Sequence, residues 1–169
     1  MAKIFLVGMM GVGKSHWSEK WARKLKTGHY DLDSLIENIE EKTIPEIFAE
    51  NGENYFRKAE AKILRWFGEK KSFVLATGGG AACFEKNMEW MNKNGITIWL
   101  DEPLEILVGR LKLGKKNRPL IKDLSDRELH SFLEKKLKER ASFYDQSQYR
   151  LTGKEISNKS LEKIIEENE

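Results

Sequence analysis

The segment Gly8–Ser15, GMMGVGKS, places three glycines, a lysine and a serine between the apolar run KIFLV and a stretch with helical periodicity. Its spacing fits G-x-x-x-x-G-K-[ST], in which backbone N–H groups wrap a polyphosphate, the lysine neutralises its charge and the hydroxyl ligates Mg²⁺. The alternative is a glycine-rich turn with a surface lysine, which requires neither a strand before it nor a helix after it. The pattern therefore predicts a nucleotide site.

A phosphate loop indicates what is bound but leaves the reaction open. A switch GTPase also needs a guanine-reading Asn-Lys-x-Asp, and the segments NKNG and NKSL lack the final aspartate. A small-molecule kinase needs instead a second pocket, with a partner for the acceptor hydroxyl and a clamp for the rest of the substrate.

Asp31 and Asp33, in YDLDSLIE, are candidates for the metal and the acceptor hydroxyl. The two aspartates are expected to alternate at the end of a short strand and so not to serve the same face. One could then attend the metal and the other the acceptor hydroxyl. Asp33 could equally be the N-cap of the helix that follows.

Two arginines fall on or beside apolar helix faces. Arg140 lies within the stripe of the helix predicted over 125–144, and Arg57 borders the stripe of the helix predicted over 53–69. A guanidinium taken from water needs an anion, either a substrate group or a structural partner. For Arg57 that partner could be Glu60, in an ordinary ion pair on the helix surface.

Two glycine-containing segments complete the candidates. Gly78–Gly80 follow an apolar strand, at the edge where open α/β sheets bind ligands, and a tight turn alone would usually need fewer glycines. The segment 112–123, KLGKKNRPLIKD, is predicted to be a mobile loop that folds over phosphates, with Arg118 as its closing charge. A solvated basic loop is the alternative.

Alternating strands and helices predict an α/β fold. Strands are predicted at Lys3–Val7, His29–Asp31, Phe73–Ala76, Ile96–Leu100 and Tyr149–Leu151, with helices at about Lys14–Lys26, Asp33–Glu41, Ile44–Glu50, Glu53–Glu69, Glu85–Asn94, from Pro103, at Ser125–Tyr144 and from Ser160.

Length and composition predict one domain over residues 1–169. A single cysteine excludes an internal disulfide framework and suits the cytoplasm. A net charge of +3, with lysines and glutamates interleaved, argues against a nucleic-acid partner. No apolar stretch reaches membrane-spanning length and no signal peptide is seen, so no membrane partner is expected.

Together these segments resemble the shikimate kinase family. The resemblance rests on GMMGVGKS, DLDSLIE, IPEIFAENGENYFRKAE, VLATGGGA, GITIWLDEP, RPLI and RASFY, in the family's order and near its spacing. It implies a three-layer P-loop kinase fold, with a five-stranded parallel sheet in the order 2-3-1-4-5 flanked by helices. Substrate-binding helices would span about 33–70 and a mobile lid about 112–124.

The resemblance also implies an activity, the transfer of the ATP γ-phosphoryl to the 3-hydroxyl of shikimate. The products would be shikimate 3-phosphate and ADP, on the route to chorismate and the aromatic amino acids. ATP and Mg²⁺ are the implied cofactors, shikimate is the small-molecule partner, and the chain is expected to act as a monomer.

Residue roles follow from the matched motifs. The implied nucleotide-binding residues are Gly11, Val12, Gly13, Lys14, Ser15, His16, Arg110 and Arg118; the shikimate-binding residues are Asp33, Arg57, Gly79, Gly80 and Arg140; the metal-binding residues are Ser15 and, through water, Asp31. Lys14, Asp33 and Arg118 are the implied catalytic residues, and Asp33 would take the acceptor hydroxyl. Two features depart from the family: His16 replaces a frequent second hydroxyl, and the adenine-side segment around YRLTGKEIS matches only loosely, so a stacking role for Arg110 rests on little.

Two other functions stay open. One is another small-molecule kinase of this fold, for gluconate or a nucleoside monophosphate, although a neutral or phosphorylated acceptor would make the pair Arg57 and Arg140 hard to explain. A non-catalytic nucleotide-binding protein would have no use for Asp33 and Arg118.

Overall fold

A five-stranded parallel sheet forms the centre of the computed structural model, which describes residues 1–169. The strands are β1 (Lys3–Val7), β2 (His29–Asp31), β3 (Phe73–Ala76), β4 (Ile96–Asp101) and β5 (Tyr149–Thr152), and the helices are α1 (Lys14–Leu25), α2 (Leu32–Glu40), α3 (Ile44–Trp66), α4 (Asn87–Asn94), α5 (Leu104–Gly114), α6 (Asp126–Tyr144) and α7 (Asn158–Glu167). The strand order is β2-β3-β1-β4-β5, so the predicted order 2-3-1-4-5 is confirmed.

The register of the sheet places the candidate loops side by side. On the central strand β1, Leu6 lies opposite Ala76 of β3 and Ile98 of β4, and every strand pair is parallel. Both faces of the sheet are covered by helices, which is why β1 and β3 are almost continuously apolar and buried. The phosphate loop after β1 and the glycines after β3 therefore emerge next to each other at the carboxyl edge.

The start of α2 corrects two predictions about the aspartates. Asp31 ends β2 and is itself the N-cap of α2, because its side chain accepts a hydrogen bond of 3.1 Å from the Ser34 N–H. Asp33 lies in the first helical turn. The strand alternation proposed for this pair and the capping role proposed for Asp33 are therefore both wrong.

Helix α3 joins the two helices predicted over 44–50 and 53–69. Gly52 stands at the junction with φ of 83° and ψ of 169°, which is not helical, so α3 consists of two helical segments on either side of a kink. At its start, Thr43 and Glu46 form a reciprocal capping box, with hydrogen bonds of 3.3 and 2.8 Å.

Other helix starts differ by one or two residues from the predictions. Helix α4 begins at Asn87 because Glu85 and Lys86 have positive φ angles of 51° and 55°. Helix α7 begins at Asn158, where Ser157 is the cap. No helix combines the length and apolar composition needed to span a bilayer.

Candidate active site

The phosphate loop is shaped by glycines with positive φ angles. Gly8, Gly11 and Gly13 have φ of 143°, 81° and 98°, which side-chain-bearing residues rarely adopt. Gly13 is the N-cap of α1 and provides no side-chain oxygen for the N–H groups of the first turn. These N–H groups lie at the positive end of the helix, which begins at Lys14, and groups of this kind are suited to binding an anion.

The Lys14 ammonium is held at the inner surface of this loop. It donates hydrogen bonds of 2.5 Å to the Gly8 carbonyl and 3.0 Å to the Met9 carbonyl. Burial lowers the pKa of Lys14 to about 8, partly offset by the nearby Asp33 carboxylate. The amine thus stays charged at neutral pH and is poised to interact with phosphate.

Ser15 and Asp31 bring two oxygen ligands together at the mouth of the loop. The Ser15 hydroxyl donates a hydrogen bond of 2.7 Å to Asp31 Oδ2, while Asp31 Oδ1 caps α2. No group of three or more His, Cys, Asp or Glu side chains converges as a ligand set anywhere in the chain. One carboxylate and one hydroxyl fit Mg²⁺, which takes few protein ligands and completes its shell with phosphate and water.

The remaining nucleotide candidates surround the loop in different ways. Arg110 donates hydrogen bonds of 3.2 Å to the carbonyls of both Gly11 and Val12, so its guanidinium supports the loop from outside. Val12 is buried, and only its backbone can face a ligand. His16 is exposed, with its ring edge-on to Trp17 at 5.4 Å.

Two cavities meet at the carboxyl edge of the sheet. The nucleotide side, of about 390 Å³, is lined by the phosphate loop and Asp31, and the neighbouring cavity of about 610 Å³ is lined by Arg57, Glu60, Gly80, Arg140 and apolar side chains of α3. Both are bordered by Met10, Asp33, Gly78, Gly79 and Arg118. The structure therefore brings the sequence-predicted nucleotide and acceptor residues to a shared boundary.

The three consecutive glycines each make room for one functional side chain. A Cβ at Gly78 would lie 2.7 Å from Asp33 Oδ1, one at Gly79 would lie 2.9 Å from Arg140 Nη1, and one at Gly80 would lie 2.6 Å from Arg57 Nη2. None of the three has a positive φ angle. At all three positions a side chain is therefore opposed by the close approach of a neighbouring side chain and not by the backbone conformation.

Arg57 and Glu60 form a buried ion pair, not the surface pair that was the alternative. Arg57 is 9% exposed and Glu60 is 1% exposed. Arg57 Nη1 donates a 3.0 Å hydrogen bond to Glu60, and Nε donates a 3.4 Å bond to Glu53. Burial raises the pKa of Glu60 to about 7, although Arg57 opposes that rise. The third guanidinium nitrogen, Nη2, faces Gly80 and makes no hydrogen bond within the protein.

Arg140 has no structural anion. Its Nη1 is buried without a hydrogen-bond partner, and no carboxylate forms an ion pair with it. One helical turn later, the buried Tyr144 hydroxyl donates to the Gly79 carbonyl and ties α6 to the glycine segment. An unpaired buried guanidinium nitrogen is costly, and an anion in the adjoining cavity would satisfy it.

Asp33 stands where the two cavities join. Burial raises the pKa of its carboxyl, and the neighbouring Asp31 raises it further, while Lys14 opposes the shift. A carboxylate with a raised proton affinity at this boundary can accept a hydrogen bond, and then a proton, from an acceptor hydroxyl.

Arg118 projects from the segment 112–124 and borders both cavities. The segment is fixed at its base, where Ile121 is fully buried and the Lys115 ammonium donates a 2.5 Å hydrogen bond to the Leu124 carbonyl. Arg118 itself is exposed, so its guanidinium lies on the side of the segment that can approach a phosphate.

Sequence reasoning assigned no role to Met10 and Tyr144. Met10 separates the two cavities, and its position between the loop glycines is the only sequence signal for this. Tyr144 lies four residues after Arg140, and that helical spacing was available as a signal.

Comparisons with known proteins agree with this geometry. The family model described as shikimate kinase matches residues 10–169. The shikimate kinase of Bacteroides thetaiotaomicron is 41% identical over 159 residues, covering 94% of this chain and 91% of the relative. A crystal structure of shikimate kinase from the same organism superposes with a TM-score of 0.91 at 37% identity, covering 98% of each chain.

A second solved structure is shikimate kinase from Acinetobacter baumannii in complex with shikimate. It matches with a TM-score of 0.86 at 32% identity, covering all of this chain and 95% of its own. A gluconokinase from Sinorhizobium meliloti matches with a TM-score of only 0.54 at 16% identity, a likeness that shows the fold alone. The chain belongs to the shikimate kinase family.

Proposed function

We propose that this chain transfers the γ-phosphoryl group of ATP to the 3-hydroxyl of shikimate. The observation that carries the proposal is the acceptor cavity, where Arg57 and Arg140 each present a guanidinium nitrogen without a hydrogen-bond partner beside Asp33. A carboxylate-bearing, hydroxylated substrate supplies both the anion and the acceptor group that this cavity requires.

The phosphates of ATP are expected to lie against the backbone of Gly11–Gly13 and the first turn of α1. Lys14 leaves the loop carbonyls to contact the β- and γ-phosphates, and the gain of an anionic partner keeps its amine charged. Arg110 maintains the loop through its carbonyls, and His16 is placed to contact the phosphate chain from the exposed side.

Ser15 and Asp31 would hold Mg²⁺, Ser15 directly and Asp31 through water. Their oxygens are 2.7 Å apart and lie on the nucleotide side of the site. Held by these two residues, Mg²⁺ would supply positive charge against the negative charge that develops on the phosphates.

Asp33 orients the acceptor hydroxyl and takes its proton. Phosphoryl transfer passes through a loose transition state in most analyses, so positioning of the nucleophile in line with the γ-phosphorus contributes more than early proton removal. The raised pKa of Asp33 suits a group that must hold the proton at the end of the transfer.

The carboxylate of shikimate is bound by Arg57 and Arg140, and the backbone of Gly79 and Gly80 contacts the ring substituents. Arg57 offers Nη2, and Arg140 offers its unpaired Nη1, so both nitrogens gain an anionic partner when the substrate enters. A neutral acceptor would leave both guanidinium nitrogens without an anion. Gluconate carries a carboxylate of its own, so the assay below compares it directly with shikimate.

The segment 112–124 is proposed to close over both substrates and to carry Arg118 onto the phosphates. Closure would exclude water from the transferred group, which matters because water is a competing acceptor. Residues 33–70 form the wall on the opposite side, and the whole site belongs to one domain of residues 1–169.

All the proposed site residues come from a single chain, which supports a monomer as the active form. The single cysteine, which suits a reducing compartment, supports a cytoplasmic protein. The interleaved lysines and glutamates argue against a nucleic-acid partner.

The experiment that tests the function is a coupled assay of ADP release with shikimate, gluconate and nucleoside monophosphates as acceptors. Turnover with shikimate well above the other acceptors is expected. Turnover with gluconate or a monophosphate but not with shikimate would assign another kinase of this fold, and ATP binding without turnover on any acceptor would assign a non-catalytic protein.

A further inference from the structure

Phe84 lies against the guanidinium of Arg57, outside the cavity that binds the substrate. The Arg57 Cζ is 4.1 Å from the centre of the Phe84 ring and 5.1 Å from the centre of the Phe56 ring, which belongs to α3. Phe84 follows the short turn after Gly80 and keeps 37% of its surface exposed. An aromatic ring with so much exposed surface contributes less to the core than a buried one.

The contacts around Arg57 leave one direction open. Glu53 and Glu60 accept hydrogen bonds from Nε and Nη1, and the Phe84 ring covers part of the guanidinium. The remaining nitrogen, Nη2, lies beside Gly80 at the cavity wall. A planar guanidinium stacked on an aromatic face keeps its in-plane donors available, whereas a guanidinium free to rotate would lose their alignment.

We propose that Phe84 is a positioning residue for substrate recognition. By stacking on Arg57, its ring keeps the guanidinium plane aligned with the substrate carboxylate and excludes water from the covered face. This inference rests on the proposed function, in which Arg57 binds the carboxylate of shikimate. It adds a residue outside the matched motifs to the determinants of acceptor affinity.

Phe84→Leu removes the aromatic face and keeps an apolar side chain of similar bulk. The KM for shikimate is expected to rise roughly tenfold, the size of a partly desolvated cation–π contact, while kcat stays within about twofold. The KM for ATP should not change, since the nucleotide side does not contact Phe84. Phe84→Tyr keeps the ring and should restore the wild-type KM for shikimate.

A neutral substrate separates positioning of Arg57 from a general loss of structure. With the primary amide of shikimate, which lacks the negative charge, kcat/KM should be nearly the same in wild type and Phe84→Leu. Trp66→Leu is the matched control, because Trp66 is an exposed aromatic residue of α3 that lines neither cavity. Its KM for shikimate and its melting temperature should stay close to wild type.

Two results overturn the role of Phe84 while leaving the proposed function intact. One is a wild-type KM for shikimate in Phe84→Leu, and the other is an equal loss of kcat/KM with shikimate and with its amide. Absence of shikimate-dependent ADP release in the unmutated chain would instead reject the proposed function, and the inference with it. Thermal melting of Phe84→Leu with and without ATP shows whether the variant is folded.

Discussion

The phosphate loop and the acceptor pocket lie side by side but are built in different ways. The loop comes from eight consecutive residues, Gly8–Ser15, and its shape follows from local glycine conformations and the start of a helix. The acceptor pocket draws Asp33, Arg57, Gly78–Gly80 and Arg140 from three helices and one strand end.

This difference has an energetic consequence. Backbone N–H groups in the loop are ready for an anion at little cost, because they belong to a helix start that exists anyway. The pocket instead keeps Arg140 Nη1 and Glu60 Oε2 buried without hydrogen-bond partners. Its specificity therefore depends on charges that packing alone holds in place, and variants of the two regions should fail differently.

The largest effect is expected at the boundary of the two regions, in Asp33→Asn. Asparagine keeps the shape of the side chain but loses the charge and the proton acceptor, so kcat should fall roughly 10²-fold or more. Because Asp31 rather than Asp33 caps α2, the variant should melt close to wild type. Steady-state kinetics beside a melting curve checks this, and near-normal turnover would remove Asp33 from the mechanism.

Lys14→Ala should affect only the nucleotide side. ATP with Mg²⁺ should raise the melting temperature of wild type by linkage, and the variant should lose most of that shift. Shikimate should still stabilise the variant, since Lys14 does not line the acceptor cavity. Thermal melts with each ligand test the separation, and an ATP shift of wild-type size would contradict the assignment of the phosphate loop.

Arg57→Lys should affect only the acceptor side. Lysine keeps the charge but has no planar guanidinium that could donate hydrogen bonds to Glu53, Glu60 and the substrate carboxylate at the same time. The KM for shikimate should therefore rise roughly tenfold or more. The ATP-induced melting shift should stay at the wild-type value. Retention of wild-type shikimate affinity would mean that Arg57 does not contact the substrate.

Gly80→Ala tests whether the glycine segment fits its side-chain neighbours. A methyl group there would lie 2.6 Å from Arg57 Nη2, so the guanidinium must shift. The KM for shikimate should therefore rise several-fold, which corresponds to a loss of about 1 kcal/mol or more in binding free energy. Gly109→Ala is the matched control, because a Cβ at this helical position meets nothing within 4 Å. The control should keep its KM and gain slightly in stability. Equal kinetics in the two variants would argue against the steric fit.

The smallest effect concerns pH and Glu60. Its pKa of about 7 exceeds the ordinary 4.5, so the native state binds the proton more tightly than the unfolded chain does. The stability from protonated Glu60 is therefore complete below about pH 4.5 and is lost as pH rises through about 7. The charges of Arg57 and Arg140 lower the pKa of Glu60 and so reduce this loss, while the charge of Asp33 raises the pKa and increases it. Urea unfolding across that range should show a smaller decline in Glu60→Gln than in wild type, and parallel curves would contradict the shift.

Much of the nucleotide side could be predicted because its information is local. The spacing of Gly8–Ser15 specifies a loop and a helix start together, and the strand before it follows from a short apolar run. The sheet order was implied by resemblance to a family, since no local pattern states which strands become neighbours. Local reasoning was wrong at Asp33, because the N-cap of α2 is Asp31, two residues earlier.

The sequence by itself determined the glycine loop before α1, the alternation of strands and helices, and the presence of two arginines on or beside apolar helix faces. Only the tertiary structure decided which groups those arginines meet, because Gly79 and Gly80 come from a different strand end and Phe84 from the turn beyond it. Burial of Arg57 and Glu60, and with it the raised pKa of Glu60, likewise depends on packing between elements distant in the chain. The physical reason is that hydrogen bonds within a loop or helix follow from neighbouring residues, whereas desolvation depends on everything that surrounds a group in space.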